Sequence, residues 1–153
     1  MQPGQKIHYR VTMEDQETSM RSVPVIGSFT TAPSTAPGAK KAHKNIRLHW
    51  SGDVAGQGYG INPEIGGMRG YAAMHATMPD FFLHSGDTIY ADNPIPETLE
   101  VAGEPTWRNL VTEETSKVAE TLNEFRGRHR YNMMDDNLRA LYADVPVIAQ
   151  WDD

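Results

Sequence analysis

Cysteine is absent from the 153-residue sequence, so neither a disulfide framework nor a thiolate metal site can form within these residues. The sequence also lacks any run of about 18 apolar residues, and its first residues lack the apolar core of a signal peptide. Basic residues are not in excess, since 14 Lys and Arg against 20 Asp and Glu give a net charge of -6. These absences argue against a membrane span and a nucleic-acid-binding surface.

The composition that remains, 39% hydrophobic and 22% charged, is typical of a soluble globular protein with a substantial core. Residues 6–12 and 26–31 alternate β-branched and aromatic side chains, which predicts two strands. Two strands alone are marginal in water. Residues 1–33 are therefore predicted to be the last strands of a β-sandwich domain, fibronectin type III-like, that begins upstream.

Residues 34–45 contain Pro, Ser, Gly and Lys without periodicity, which is typical of a linker. A second domain is predicted over residues 46–153, and its beginning has the pattern of a βαβ unit. The first strand is expected at 46–50, a helix at 68–78 and a second strand at 81–84. Strands joined in this way should be parallel, so the predicted fold class is α/β.

The rest of the second domain shows mainly helical spacing. Apolar residues at helical intervals predict one or two amphipathic helices over 106–129. A short helix is predicted at 136–143, with Leu138, Leu141 and Tyr142 facing the core. The apolar run 145–150 predicts a third strand, and the two acids that follow it end the sequence, which suggests that the domain continues beyond them.

Acidic residues follow each of the three predicted strands: Asp53, Asp87, and the pair Asp152 and Asp153. Ligands of parallel sheets bind outside the carboxyl ends of the strands, so these acids should converge on one crevice. Clustered carboxylates repel one another unless a cation neutralises them. Carboxylate oxygens suit Mg²⁺, Ca²⁺ or Mn²⁺, and a pair of such ions can promote phosphoester hydrolysis. A lone Asp after a strand is usually a turn residue, so the prediction depends on all three strand ends.

Other residues near the predicted strand ends have two interpretations. Tyr90, three residues after Asp87, is either a core aromatic or a phenolate ligand whose pKa a cation would lower. His84 lies in an apolar strand, where a hydrogen-bonded core histidine is favoured over a ligand, and His75 lies in the predicted helix. Arg126 and Arg130 could bind a phosphate, although a solvated helix face is favoured for such a run.

Two motifs then resemble a known family. Residues 79–90 resemble a Pro-Asp, apolar strand, Gly-Asp-x-x-Tyr signature, and residues 146–153 resemble Pro-x-x-x-x-Trp-Asp-Asp before a His-Glu pair. Both signatures are those of the alkaline phosphatase D-like (PhoD-like) members of the calcineurin-like metallophosphoesterases, which this sequence therefore resembles. Similarity to this family extends over nearly the whole chain, through residues 3–10, 27–33, 125–131 and 138–141.

The resemblance implies a metallophosphoesterase-like α+β domain, present here as its N-terminal part. Asp87 would bridge two metal ions, Tyr90 would bind one of them, and Asp153 would replace the asparagine of the superfamily's Gly-Asn-His-Glu. The family commonly uses Fe³⁺ with Ca²⁺, with Mg²⁺ or Mn²⁺ as alternatives, to hydrolyse phosphate mono- or diesters in a periplasmic or extracellular protein.

One departure from the family pattern concerns the first motif, where family members often have a cysteine. Residues 51–54 have none, so Asp53 is expected to supply the ligand there. The family's downstream catalytic histidines would follow residue 153. No catalytic residue is therefore assigned within the chain, and these residues alone are expected not to turn over substrate.

Two other functions compete with the hydrolase. The chain could be a non-catalytic module that binds a partner or a structural metal, and convergence of the strand-end acids would favour the enzyme over it. A nucleotide-binding loop at residues 52–60 is disfavoured, because the glycines lack the Gly-x-Gly-x-x-Gly order with an acid about 20 residues later.

Overall fold

A computed structural model describes residues 1–38, 45–54, 56 and 58–150 of the protein. Strands lie in these residues at β1 Lys6–Val11, β2 Val25–Thr30, β3 Leu48–Ser51, β4 Phe81–His84, β5 Thr98–Leu99, β6 Trp107–Arg108 and β7 Val147–Ala149. Helices lie at α1 Arg69–Ala76, α2 Leu122–Asn132 and α3 Asp136–Asp144. Asp152, Asp153 and half of the predicted linker, residues 39–44, lie outside the described residues.

A parallel three-stranded sheet with the order β3-β4-β7 forms the centre of the second half of the chain. Helix α1 lies between β3 and β4 in the sequence, so the predicted βαβ unit is present. The central strand is the most buried of the three, with Phe82 and His84 fully inaccessible. This mixed α/β arrangement with a parallel sheet confirms the fold class predicted from the sequence.

Helices α1 and α3 cover one face of this sheet. Phe82, Leu141 and Val145 form a buried cluster, and four partly buried side chains pack against it: Tyr71, Met74, Tyr142 and Val147. The predicted helix at 136–143 is confirmed as α3, with Leu138 and Leu141 buried. Helix α1 is shorter than predicted, because Met78 adopts a left-handed backbone conformation and is 60% exposed.

The helical prediction over residues 106–129 is wrong in its first part. Trp107–Arg108 is strand β6, which pairs antiparallel with β5, and the helix begins only at Leu122. The Asn109 side chain accepts hydrogen bonds from Gly60 N and Trp107 Nε1 and donates to two carbonyls, so it ties this segment to distant loops. The backbone N–H groups of Asn109 and Leu110 donate to Glu97 O and Ile61 O, in place of the bonds that a helix would have made.

A second buried cluster fixes helix α2 against the loops. It contains Ile61, Ile95 and Tyr131, with Leu110 and Val111 packed against it. The Tyr131 hydroxyl accepts a hydrogen bond from Ile61 N at 2.8 Å and donates to Leu110 O at 2.7 Å. Helix α2 therefore has a fixed position beside the loops that follow β4.

The N-terminal strands β1 and β2 form an antiparallel hairpin, in agreement with the two strands predicted there. The hairpin docks on the end of α3, where Tyr9 Oη donates to Ala143 O at 2.8 Å and Ser28 Oγ donates to Asp144 Oδ1 at 3.1 Å. Its assignment to a β-sandwich domain, and the domain boundaries, stay predictions. In the described ranges, no helix has the length and apolar character that a bilayer crossing requires.

Candidate metal centre

Parallel pairing of β3 with β4 brings the loops after these strands together. Two backbone hydrogen bonds join the loops, from Asp53 N to Gly86 O at 3.1 Å and from Val54 N to Asp87 O at 2.9 Å. Asp53 and Asp87 both have left-handed backbone conformations, with φ of 57° and 51°. Such conformations are uncommon outside glycine, although Asp tolerates them better than most residues, and they are frequent at functional sites.

The Tyr90 hydroxyl joins the two carboxylates. Its oxygen lies 2.9 Å from Asp53 Oδ2 and 2.9 Å from Asp87 Oδ2. A phenol has one proton, so the two carboxylates share a single hydrogen. The bond to Asp53, and after it the bond to Asp87, raises the pKa of Tyr90 far above its usual range. Two carboxylates in contact with one neutral donor retain unneutralised charge, which favours a cation at this point.

Gly56 allows the Tyr90 ring to occupy this position. A Cβ added to Gly56 would lie 2.7 Å from two carbons of the Tyr90 ring, which is closer than real Cβ contacts allow. The sequence interpretation identified residues 52–60 as a glycine-rich loop but assigned no role to Gly56. The close approach of Gly56 to the Tyr90 ring is visible only in the tertiary structure.

His84 lies close enough to the two carboxylates for their charges to affect its titration. It is fully buried, and neither ring nitrogen has a hydrogen-bond partner among the described residues. Burial holds the pKa of His84 below its usual value, although Asp53, the Gly86 backbone and Asp87 act in the opposite direction. His84 therefore lies in the core as predicted, and the hydrogen bond expected of its ring stays a prediction. Unpaired buried polar groups are rare and need a physical explanation.

The carboxylates of Asp53 and Asp87 and the Tyr90 oxygen fit a hard cation, which prefers oxygen ligands. The nearby His84 ring has no hydrogen-bond partner among the described residues. This is consistent with a further polar group or ion at the site. Among those residues, no group of three or more His, Asp or Glu side chains is placed to hold an ion. Asp153, the fourth predicted ligand, lies outside them.

His75 lies away from the Asp53 and Asp87 pair. Its Nε2 contacts Asp144 Oδ2 at 3.2 Å, and Asp144 also accepts the hydrogen bond from Ser28. His75 therefore links α1 to α3 and the hairpin. This contact gives it a structural role.

A cleft of about 910 Å³ opens beside Asp87 and Tyr90. The predicted phosphate-binding arginines, Arg126 and Arg130, are exposed and do not line it. Arg130 Nη2 instead pairs with Glu114 Oε1 at 3.0 Å.

Arg128 lies between those two arginines on α2, and sequence interpretation gave it no role of its own. It is buried, and its Nη2 donates to Asn93 O at 3.0 Å and to Lys117 O. Within the part of the chain that the structure describes, its Nε and Nη1 have no hydrogen-bond partner. Arg128 therefore ties α2 to both loops beside the cleft.

Comparisons with known proteins agree with the motifs in this region. A model of the family described as PhoD-like phosphatase matches residues 48–153. Alkaline phosphatase D of Bacillus subtilis (strain 168) is 32% identical over 90 residues, which make up 59% of this chain and 14% of that protein. A solved structure described as that of PhoD superposes with a TM-score of 0.61 at 24% identity.

The two relatives are much longer than the region that matches them. The structural match covers 100% of this chain and 25% of the other. At this level of identity the superposition shows a common fold. The family match rests on the sequence that contains β3, β4 and β7 and the loops with Asp53, Asp87 and Tyr90.

Proposed function

The chain belongs to the PhoD-like phosphatase family, and from that premise we propose that its site supports metal-dependent hydrolysis of phosphate mono- or diesters. The observation that carries the proposal is the contact of one hydroxyl, Tyr90 Oη, with the carboxylates of both Asp53 and Asp87 at 2.9 Å. Convergence of Asp53, Asp87 and Asp153 was expected to favour the hydrolase over a non-catalytic module, and the contact with Tyr90 supports it for the first two.

We assign Asp87 as the ligand shared by two ions, with Asp53 and Tyr90 as further ligands and Asp153 completing the set. Fe³⁺ with Ca²⁺ is the pair that the family resemblance supports, and oxygen ligands also suit Mg²⁺ or Mn²⁺. Such ions, when bound, would lower the pKa of a water molecule and offset the charge of the ester. The protein's own contribution is to hold the carboxylates and the phenol at one point through the paired loops.

The type of each domain and the cellular location of the protein are part of the same proposal. The parallel sheet is proposed to be part of a metallophosphoesterase-like domain, and the β1–β2 hairpin part of a preceding β-sandwich. The family resemblance supports an exported protein, periplasmic or extracellular.

The test is metal-dependent hydrolysis by the full-length protein. After chelation, Ca²⁺, Fe³⁺ and Mn²⁺ are added back singly and in pairs, and the rates on one phosphomonoester and one phosphodiester are measured. We expect at least one combination to restore hydrolysis. Failure of every combination on both esters would overturn the proposal, and metal binding without hydrolysis would favour the non-catalytic module.

Variants test the assigned ligands in the same protein. Loss of an outer partner of a metal ligand typically costs about 10- to 100-fold in affinity. Asp87→Asn should therefore weaken metal binding by more than about 100-fold, measured by calorimetry. Asp136→Asn is the matched control, because its side chain is 87% exposed on α3. Equal metal affinity in the two variants would contradict the role given to Asp87.

A further inference from the structure

The cleft beside the metal centre has an apolar wall. Six apolar residues contribute to it: Ile89, Ala91, Val118, Ala119, Phe125 and Ala149. Val118 and Phe125 are 44% and 43% exposed, so large apolar side chains face solvent where helix α2 and the preceding loop meet the cleft. Exposed apolar residues that cluster in a concave site are typical of ligand-binding surfaces.

The charges in the cleft do not suit a second anionic group. Among the described residues that line it there is no Lys or Arg, and the ionisable side chains besides Tyr90 are the acids Asp87 and Asp92 and the imidazole of His129. Asp92 lies near enough to Arg128 to oppose the fall in the pKa of Arg128 that burial causes. The Asp92 carboxylate also accepts a hydrogen bond from Asn93 Nδ2 at 3.1 Å. The described lining of the cleft therefore offers a ligand two carboxylates and no permanently charged cation.

The nearest cations are already engaged. Lys117 Nζ lies 2.5 Å from Glu124 Oε1, and Arg130 pairs with Glu114. Arg128 directs its guanidinium to backbone carbonyls. None of these three residues lines the cleft.

The walls of the cleft are held in place by hydrogen bonds. Ala119 N donates to Ala91 O at 2.9 Å, and Asn132 Nδ2 donates to Thr88 O at 2.8 Å. Together with the bonds of Arg128, these contacts join both loops to α2. A preformed apolar site binds its ligand without the cost of ordering its own loops.

We propose that this cleft binds an uncharged apolar substituent, aryl or alkyl, of the phosphoester whose phosphate lies at Asp53 and Asp87. The inference rests on the proposed hydrolase function and adds the substrate class. It disfavours esters whose substituent carries further phosphate or carboxylate groups, because the described lining has two acids and no Lys or Arg.

The test uses phosphonates with one substituent, which are not hydrolysed and present only that group to the cleft. Methyl-, phenyl-, 2-carboxyethyl- and 2-(trimethylammonio)ethylphosphonate are compared as inhibitors of one phosphomonoester in the metal-restored full-length protein. We expect phenylphosphonate to bind about tenfold more tightly than methylphosphonate, because burial of an aromatic ring contributes at least that factor. Tighter binding of either charged compound than of the phenyl compound would overturn the inference.

Two variants locate the effect. Phe125→Ser and Val118→Ser should each reduce the preference for phenyl over methyl, while binding of methylphosphonate changes less than about twofold. Leu122→Ser is the matched control, since Leu122 is 65% exposed on the same helix and does not line the cleft. An unchanged preference in both cleft variants would contradict the assignment.

Calorimetric binding of the same phosphonates separates this inference from the proposed function. If no metal restores hydrolysis, the hydrolase proposal fails, whereas the preference for phenyl over methyl is still measured directly. If hydrolysis is restored and both compounds bind equally, only the substrate class is wrong.

Discussion

At the scale of single residues, the metal centre depends on side chains that backbone conformation and neighbouring atoms place together. Asp53 and Asp87 adopt left-handed conformations that β-branched residues would avoid. Gly56 leaves room for the ring that reaches both carboxylates. The geometry of the proposed metal site therefore depends on Gly56 as well as on the proposed ligands.

Gly56→Ala should weaken metal binding by about tenfold, a typical cost of disturbing the support of a metal ligand. The added methyl group would force the Tyr90 ring away from the two carboxylates. Calorimetry with Ca²⁺ on the full-length protein measures the change. Gly70→Ala serves as the control, because a Cβ at Gly70 meets no atom within 4 Å. Wild-type affinity in Gly56→Ala would show that the ring position does not matter.

Tyr131→Phe should reduce the free energy of unfolding by about 1–3 kcal/mol. The substitution leaves the buried N–H of Ile61 and the carbonyl of Leu110 without the hydroxyl that both now contact. Urea unfolding followed by circular dichroism measures the difference. Tyr142→Phe is the control, since the Tyr142 hydroxyl has no hydrogen bond in the described chain and its loss should change stability little. Equal effects of the two substitutions would contradict the argument.

Among the secondary-structure elements, helix α2 is fixed at its start both by its own capping residues and by the preceding loop. Thr121 and Glu124 form a reciprocal capping box, which begins the helix at Leu122. Glu124 also pairs with Lys117 from the preceding loop, so the same carboxylate caps the helix and anchors one side of the cleft. The backbone N–H groups of Glu120 and Thr121 donate to it as well.

Glu124→Gln should lower the melting temperature at neutral pH and have progressively less effect in acid. The ion pair with Lys117 and the two backbone hydrogen bonds lower the pKa of Glu124 from 4.5 to about 2. Because the folded-state pKa is depressed, the stabilisation is complete above about pH 4.5 and is lost as the pH falls towards 2.

Thermal melts of both proteins between pH 2 and 7 measure this convergence. The exposed Glu104 provides the control substitution, Glu104→Gln, for which no such convergence is expected. A difference between wild type and Glu124→Gln that stays constant down to pH 2 would contradict the role of the carboxylate.

At the scale of the whole molecule, helix α3 connects the hairpin to the sheet. One side of α3 contributes Leu141 to the core with Phe82, and its end bonds to Tyr9 and Ser28. Gly27 lies so close to Ala143 O and Tyr9 Oη that a Cβ would clash with both. The hairpin therefore docks on α3 only because residue 27 has no side chain.

Gly27→Ala should release the hairpin from α3 while the parallel sheet stays folded. Hydrogen exchange should become faster in β1 and β2, with β4 and α3 still protected, because the lost contacts lie at the interface. Ile26→Ala, at a neighbouring position that is 67% exposed, is the control. Unchanged exchange in β1 and β2 of the Gly27 variant would show that the clash is relieved in another way.

Elements with local signals were predictable from the sequence. Apolar runs and periodicity identified β4, β7 and α3, because the burial pattern of one strand or helix is contained in its own residues. The proximity of Asp87 and Tyr90 was also predictable, because the two residues lie three positions apart in one loop. The family motifs lie in these same segments.

Features that depend on residues far apart in the chain became visible in the fold alone. Trp107 lies in a strand and not in the predicted helix, because it pairs with Leu99 of β5 and the N–H of Asn109 donates to Glu97 O. The contact of Tyr90 with Asp53, the space at Gly56 and the burial of the His84 imidazole arise when β3 pairs beside β4. Such contacts join segments tens of residues apart, so their energies leave no periodic trace in the sequence.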